Sequence, residues 1–593
     1  MTVTQLIVVF FIIQVIHGLG TWKLYQKAGH HSWEAFVPVY NAVVLMKIIS
    51  RPWWWVIILF IPIVNQIMFP AVWVETARSF GKNSNTDTFL AIITLGFYNY
   101  YLNYIADVKY IENRDLKPKN AFADFISAAL FAIVAATIVH TYMFQPFVIP
   151  SSSLEKSLLV GDFLIVSKLH YGPRNPTTTV AMPFMHDTIP VIKSKSYVFS
   201  DKYEERNTSW KNKLQLPQFR FPGFEHIERN DIVVFGQPAD TLKNMNDFNP
   251  DRNYYKPIDK KTNLVKRCVG IPGDSLEVID GYVYINGKKN ELPDRAELQH
   301  YYKVKLKSPL TESFVRRYNI EVIRDRQTGA LNPMRLYQIK DSIWKNVRGA
   351  KEAIQKYSSV TETKTAKSDK IELAGYVGLS KKDMATLSLE KVKNGYVLNL
   401  TAGNAQAISK LSNVISVEKY SANERNPRVF PHNSNYSWNY DNFGPVYIPK
   451  AGDKINLTIE NIPIYKRLIS EYEGHLVVTR GNQIFIDDVP TTSYTVKENY
   501  YWMMGDNRNN SIDARGWGFV PFDHVIGKPV FIWMSIDGIN SGLKNWSIRW
   551  DRVFTTVSGS GERQSYFIPF LVVMIGFSIF NRWRKKKKEK NAV

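Results

Sequence analysis

This chain has a single cysteine, Cys268, in 593 residues. An intrachain disulfide framework is excluded, so any part facing an oxidising compartment folds by packing alone. No zinc-ligand spacing and no Gly-rich phosphate loop is present, and neither a metal nor an organic cofactor is implied. A basic leader region is missing too. The apolar run at 4–22 opens almost at Met1, without a cleavage site of small residues, and reads as an uncleaved membrane helix. What the chain has in quantity is positive charge, net +22, and aromatic side chains, 13% of residues. The charge is densest at Arg582-Trp-Arg-Lys-Lys-Lys-Lys588. Beside an apolar segment this block reads as the cytoplasmic flank of a span, so membrane lipid, and no nucleic acid, is the expected partner.

Further apolar runs cover 52–74, opening on Pro52-Trp-Trp-Trp55, then 89–105, 122–144 and 566–581. The last is short for a span and relies on local thinning or on snorkelling of Arg582 and Arg584. Five spans are therefore expected. Lys109, Arg114, Lys117 and Lys119 precede the fourth, and placing them with the basic tail inside puts the N-terminus and the long segment 145–565 outside. In a bacterium that means a multi-pass protein of the cytoplasmic membrane, its large segment on the periplasmic or extracytoplasmic side. Arg78 and Lys82 fall outside in this scheme, against the trend.

The outer segment reads as strands. Asp231–Phe235, Leu264–Val269 and Val530–Met534 are short buried-strand runs, and Tyr282–Gly287 and Gln483–Asp488 are strands ending in hairpin turns. Between 301 and 440 the chain turns Lys-rich, with helix-like periodicity at Ile343–Tyr357 and Ala405–Val417 and a loose Ser/Thr/Lys stretch at 358–370. The expected division is a multi-span domain (1–121), a membrane helix (122–145), a first catalytic part (146–300) and an insertion (301–440). A second catalytic part (441–550), a C-terminal span (566–581) and a basic tail (582–593) follow. The fold class is membrane-anchored and mainly β: an antiparallel domain with an inserted α+β subdomain, helices before it and one helix after it.

Candidate chemistry starts at Phe147-Val-Ile-Pro-Ser-Ser-Ser-Leu-Glu-Lys-Ser-Leu-Leu-Val-Gly-Asp162. Pro150 stiffens the entry to a turn, and Ser153 is the candidate nucleophile, which needs a base within hydrogen-bond reach. Leu264-Val-Lys-Arg-Cys-Val-Gly270 offers one. In a strand Lys266 shares a face with Leu264 and Cys268, and desolvation there lowers an amine's pKa. A free lysine is neutral in only about one molecule in 2,500 at pH 7, so the shift decides whether it works as a base. Tyr501-Trp-Met-Met-Gly-Asp-Asn-Arg-Asn-Asn-Ser-Ile-Asp-Ala-Arg515 is a turn-rich loop with paired Asp and Arg, suited to supporting a site from behind.

These three stretches, with Arg229-Asn-Asp-Ile-Val-Val-Phe235 between the first two, resemble in order the boxes of bacterial type I signal peptidase. The resemblance covers about 146–290 and 440–550. It implies a Ser/Lys dyad with Ser153 as nucleophile and Lys266 as general base. The Ser151 hydroxyl and the Ser153 N–H would form an oxyanion hole, and Ser511 would orient the amine. Asp506, Arg508, Asp513 and Arg515 would support the site, and Phe147, Ile149, Leu158 and Val265 would wall shallow pockets for small side chains. It further implies preproteins with signal peptides as substrates, and a largely antiparallel fold with an inserted domain. The family usually reads Ser-Gly-Ser-Met followed by Pro-Thr, where this chain has Ser151-Ser-Ser-Leu154 and then Glu155-Lys-Ser157.

Rival readings stand beside this one. Ser153-Leu-Glu-Lys156 fits the Ser-x-x-Lys motif of penicillin-binding acyl enzymes, although the accompanying Lys-Thr-Gly and Ser-Asp-Asn are missing. His170, His226, His475 or His524 could serve a Ser-His arrangement, with Asp513 as orienter. A membrane-tethered scaffold would leave Ser153 and Lys266 incidental.

Overall fold

The structure, a computed structural model, describes residues 2–117, 120–190, 192–238, 255–324, 329–340, 342, 361–364, 370–375, 389–421 and 425–590. Among them three helices are long and apolar enough to cross a bilayer. These are α1 (Val3–Lys27), α2 (Ala121–Ile138), which continues through a π-helical turn to Met143, and α3 (Phe567–Lys590). Thr2 caps α1 and Asn120 caps α2, each accepting from a first-turn N–H. Most of their apolar side chains point outward, as contact with lipid requires.

The runs at 52–74 and 89–105 depart from expectation. The first is two helices, Trp55–Leu59 and Asn65–Ser79, parted at Pro62 and Ile63 (φ 70°). The second is Asn85–Ile93 and Tyr98–Tyr104, parted at Leu95 (φ 51°) and Gly96 (φ 86°). Proline lacks the N–H that a helix needs and a positive φ turns the chain, so continuous apolarity does not become one helix.

The described residues form two compact units. The first gathers 2–145, 167–225 and 255–263. Its core is Leu24, Tyr25, Val44, Met46, Val72 and Leu102, contributed by α1 and the short helices. The second unit, 146–166, 226–238 and 264–590, is built on an antiparallel sheet. Its strands are β1 (Phe144–Val148), β2 (Asp162–Ser167), β3 (Ile232–Gly236), β4 (Asn263–Gly270), β5 (Tyr500–Met504), β6 (Val520–Pro521) and β7 (Val525–Asp537). They run in the order β1-β2-β7-β3-β4-β5-β6. Every residue of β3 and β5 is buried, as strands covered on both faces should be. The hairpins expected at 282–287 and 483–488 are present, as Tyr282–Ile285 with Lys288–Lys289 and Gln483–Ile486 with Val489–Pro490.

Within 299–419 lies a separate six-stranded sheet, in the order Thr361–Lys364, Lys370–Gly375, Met334–Lys340, Glu390–Thr401, Gln299–Leu306 and Val414–Lys419. Helices Glu312–Arg317 and Ala402–Ser409 join it, over a core of Val304, Tyr396, Leu398, Leu400 and Ile408. The helix expected over Ala405–Val417 stops at Ser409. Val414–Lys419 is instead a strand on Leu306–Tyr302, where its β-branched residues find a half-buried pleat. The loose stretch at 358–370 holds the strand Thr361–Lys364, paired with Ile371–Ala374, so pairing overrides its polar composition. The helix expected at Ile343–Tyr357 lies outside the described residues.

Candidate active site

Ser153 lies in a 3-10 turn, Ser152–Leu154, between β1 and β2. The ends of that connection are tied together: Ile149 N donates to Asp162 O at 2.9 Å, and Gly161 N to Ile149 O at 2.9 Å. Leu154 and Leu158 root it in an apolar cluster with Ile149, Leu164, Val166, Ile232 and Val234. Apolar side chains at these spacings thus hold a polar turn at the sheet surface.

Lys266 stands in the middle of β4, only 5% exposed, with Nζ 2.5 Å from Ser153 Oγ. Burial, the largest influence, pushes its amine down to about 8, with Asp513 and Asp506 pulling upward and Arg515 downward. At pH 7 about one such amine in ten is neutral, a gain of more than a hundredfold over a free lysine.

β5 pairs with β4 so that Met503 faces Cys268 and Met504 faces Arg267. That register delivers Gly505 and the loop after it to the Ser152–Leu154 turn. A Cβ on Gly505 would stand 2.5 Å from Ser153 O and 2.3 Å from Ser511 Oγ, so only glycine allows the approach. Asn507 N donates to Ser153 O at 3.1 Å, Asn507 Nδ2 to Ser152 O at 3.0 Å and Asn510 Nδ2 to Ser152 Oγ at 2.8 Å. The loop therefore grips the turn through the Ser152 and Ser153 carbonyls and the Ser152 hydroxyl, and leaves Ser153 Oγ to the lysine.

Behind the loop the charges are buried and paired. Asp506 accepts from Ser157 Oγ at 2.5 Å and from Arg267 Nε and Nη2 at 2.8 and 2.6 Å. Burial alone would raise its carboxyl, but Arg267 outweighs it and holds the group below the ordinary carboxylate range. Asp513 accepts from Gly505 N at 3.1 Å and from Arg515 Nε and Nη2 at 2.9 and 2.8 Å. Burial opposes its ionisation as well, and Arg515 overrides it. Arg515 Nη2 donates to Arg508 O at 2.6 Å, and Arg508 Nη1 to Gly505 O at 3.0 Å. Paired charges of this kind cost much to disturb, which fixes the loop.

Ser151 is extended and exposed at the head of the turn, and its side chain makes no capping hydrogen bond. Phe147 and Val265 are partly buried against the apolar cluster, whereas Ile149 and Leu158 are buried inside it, at 4% and 0% exposure. Ser511 departs from expectation. Its buried hydroxyl has no hydrogen-bond partner, so it does not hold the lysine amine here. Lys156 points elsewhere, donating to Asn319 O at 2.6 Å. His475 pairs with Asp487 and Lys497, His524 with Asp523, and His170 with Ser167. Ser157 and Arg267 join the site as partners of Asp506. Strand alternation carries the signal, since it turns Arg267 away from Lys266 and toward whatever lies behind the site.

Comparison with known proteins agrees with this architecture. The family model described as signal peptidase, peptidase S26, matches residues 122–333 and 448–534, together half of the chain. A family of unknown function matches residues 33–113. Signal peptidase I of Buchnera aphidicola subsp. Schizaphis graminum is 22% identical over 422 residues, covering 71% of this chain and 78% of that protein. Signal peptidase I of Rickettsia typhi is 27% identical over 173 residues, 29% of this chain and 45% of that protein. Signal peptidase I of Haemophilus influenzae is 32% identical over 111 residues, 18% of this chain and 30% of that protein.

Proposed function

Because the chain belongs to the signal peptidase family, peptidase S26, and is a membrane-anchored serine endopeptidase, we propose that it cuts signal peptides with Ser153 as nucleophile and Lys266 as general base. The observation that carries this reading is the 2.5 Å approach of Lys266 Nζ to Ser153 Oγ in a dry setting. Lys266, neutral, takes the proton from Ser153 Oγ as that oxygen attacks the scissile carbonyl. The tetrahedral oxyanion is met by the Ser153 N–H, one of the first N–H groups of its turn, and by the Ser151 hydroxyl. Lys266 then gives its proton to the leaving amine and activates the water that releases the acyl-enzyme.

The paired Asp506 and Asp513 keep the loop rigid so that the dyad distance holds while the amine cycles between charged and neutral. Phe147 and Val265 present the accessible apolar surface for small side chains before the cut. Ile149 and Leu158 support it from beneath, and larger residues are refused by lack of room.

The outer face of the cytoplasmic membrane is the proposed place of action. With three spans in place of five, the number of crossings before and after 145–565 keeps the same parity. Arg78 and Lys82 now join Lys23, Lys27, Lys47, Arg51 and Lys109 on the inner side, so the objection they raised disappears. Ser153 follows Met143 by ten residues, a reach of at most about 36 Å. A precursor's cleavage site leaves its own apolar helix at a similar height, and the shared membrane supplies proximity.

Cleavage of an exported precursor by membranes carrying Ser153→Ala tests the reading. The expected result is complete loss of processing with normal accumulation of the protein. Wild-type processing by that variant would end the assignment.

A further inference from the structure

The residues that open and close the two broken apolar runs meet at one place. Arg51, just before the first run, donates through Nη2 to Glu75 Oε2 at 3.0 Å, just after it. Had 52–74 crossed the bilayer, about 30 Å of hydrocarbon would separate these groups, far beyond two side chains. The second run returns in the same way. Ile111 N donates to Ser79 O at 2.9 Å, Tyr110 OH to Ile48 O at 3.1 Å, and Arg114 bonds both Glu75 and Ile49 O. Both excursions therefore begin and end at a single ionic cluster of Arg51, Glu75, Arg78 and Arg114.

The far end of the second is apolar and bare, whereas the turn of the first rests on protein, with Val64 buried and Gln66 Nε2 donating to Thr179 O at 2.8 Å. At the second turn Ile93 is 61%, Leu95 71% and Phe97 58% exposed. On the first excursion Trp53, Ile57 and Phe60 lie 64%, 56% and 52% open. The return leg of the second lies along one end of α1: Tyr100 OH donates to Ile16 O at 2.6 Å, and Lys23 N to Asn103 Oδ1 at 2.9 Å. Since α1 has the length and composition of a span, these bare side chains continue its lipid-facing surface.

We propose that 52–74 and 89–105 are re-entrant hairpins that dip into the acyl chains from the side of the basic loops and return to it. The bilayer interior is the occupant of the exposed apolar surface, and the Arg/Glu cluster marks the water boundary. Helix lengths agree, because legs of 5, 15, 9 and 7 residues span only about 8 to 22 Å. Irregular backbone at the turns is tolerated where it is packed against protein, and the short helices share a core with α1.

Cysteine accessibility tests this without reference to catalysis. In the full-length chain Cys268 is buried, and Cys268→Ala removes the background. Asn83→Cys, between the hairpins, and Lys585→Cys, in the tail, are then probed with a membrane-impermeant maleimide in right-side-out and inverted vesicles. Both are expected to label from the same face only. Leu95→Cys is expected to resist that reagent from either face and to react with a lipid-soluble maleimide. Labelling of Asn83→Cys from the face opposite Lys585→Cys would mean two full crossings and overturn the proposal. Impermeant labelling of Leu95→Cys would place the tip in water and overturn it equally.

Discussion

Lys266 in the main sheet and Lys303 in the inserted sheet are buried to nearly the same degree, 5% and 7% exposed, and meet opposite neighbours. Lys303 Nζ donates to Glu372 Oε2 at 2.8 Å, and Lys305 binds the other oxygen at 3.0 Å. Lys266 instead faces the Ser153 hydroxyl, while the nearest carboxylates, Asp506 and Asp513, are engaged by Arg267 and Arg515. One setting places the amine in a structural pair with a carboxylate. The other surrounds an amine with charges that are already spoken for, so the proton is held loosely. Burial alone does not make a base; burial with no free carboxylate does.

The largest expected consequence of that difference is in activity. Lys266→Ala should lower precursor cleavage by on the order of 10⁴-fold or more, as removal of one member of an interdependent catalytic pair does. Lys303→Ala should leave kcat/KM within about threefold, since it touches no reacting group. Comparable losses from both variants would dissolve the distinction.

Stability should separate them with opposite signs. A lysine whose folded pKa lies near 8 binds fewer protons folded than unfolded. Its penalty is complete below pH 8 and fades as the pH climbs toward the free-lysine range. Lys266→Met should therefore stabilise the detergent-solubilised chain at pH 7 by up to about 3 kcal/mol, a gain that vanishes near pH 10.5. Lys303→Met should destabilise by about 2 kcal/mol, because Glu372 stays buried after losing the amine bonded to its Oε2. Denaturation midpoints of both variants against pH check the signs.

A smaller effect, about tenfold, is expected in the pH profile. Between pH 7 and pH 9 the neutral fraction of an amine with pKa about 8 rises from about one tenth to about nine tenths. Single-turnover cleavage should climb over that interval, and a profile flat from pH 6 to 9 would remove Lys266 as the base.

Much of this was legible in the sequence because the physics was local. Ile232–Phe235 reads as a buried strand, and the Gly505–Arg515 composition reads as a rigid polar loop, before any coordinates. The Ser153–Lys266 contact was legible only through the order of the boxes, since 113 residues separate the two. Three features escaped. The run at 52–74 is apolar throughout, and hydropathy gives no sign that Arg51 and Glu75 meet. Arg267 carries no local sign of its partner, because Asp506, the carboxylate it binds, lies 239 residues away. Pairing turned Val414–Lys419 into a strand where periodicity suggested a helix, since a partner strand more than a hundred residues away outweighs local preference.

The smallest expected effect belongs to the lysine closest in sequence to Ser153. Lys156 lies one helical turn's spacing after Ser153, as a Ser-x-x-Lys base would, yet its amine donates to Asn319 O. In a Ser-x-x-Lys enzyme the serine opens a helix that carries the lysine back beside it. Here a turn of three residues ends at Leu154, and Lys156 is carried toward the inserted domain instead. Its burial is partial and its carbonyl partner is neutral, so removal should change kcat/KM by less than about threefold. A drop in kcat/KM as deep as that for Lys266→Ala would transfer the base to Lys156 and leave the Ser153–Lys266 contact a structural one.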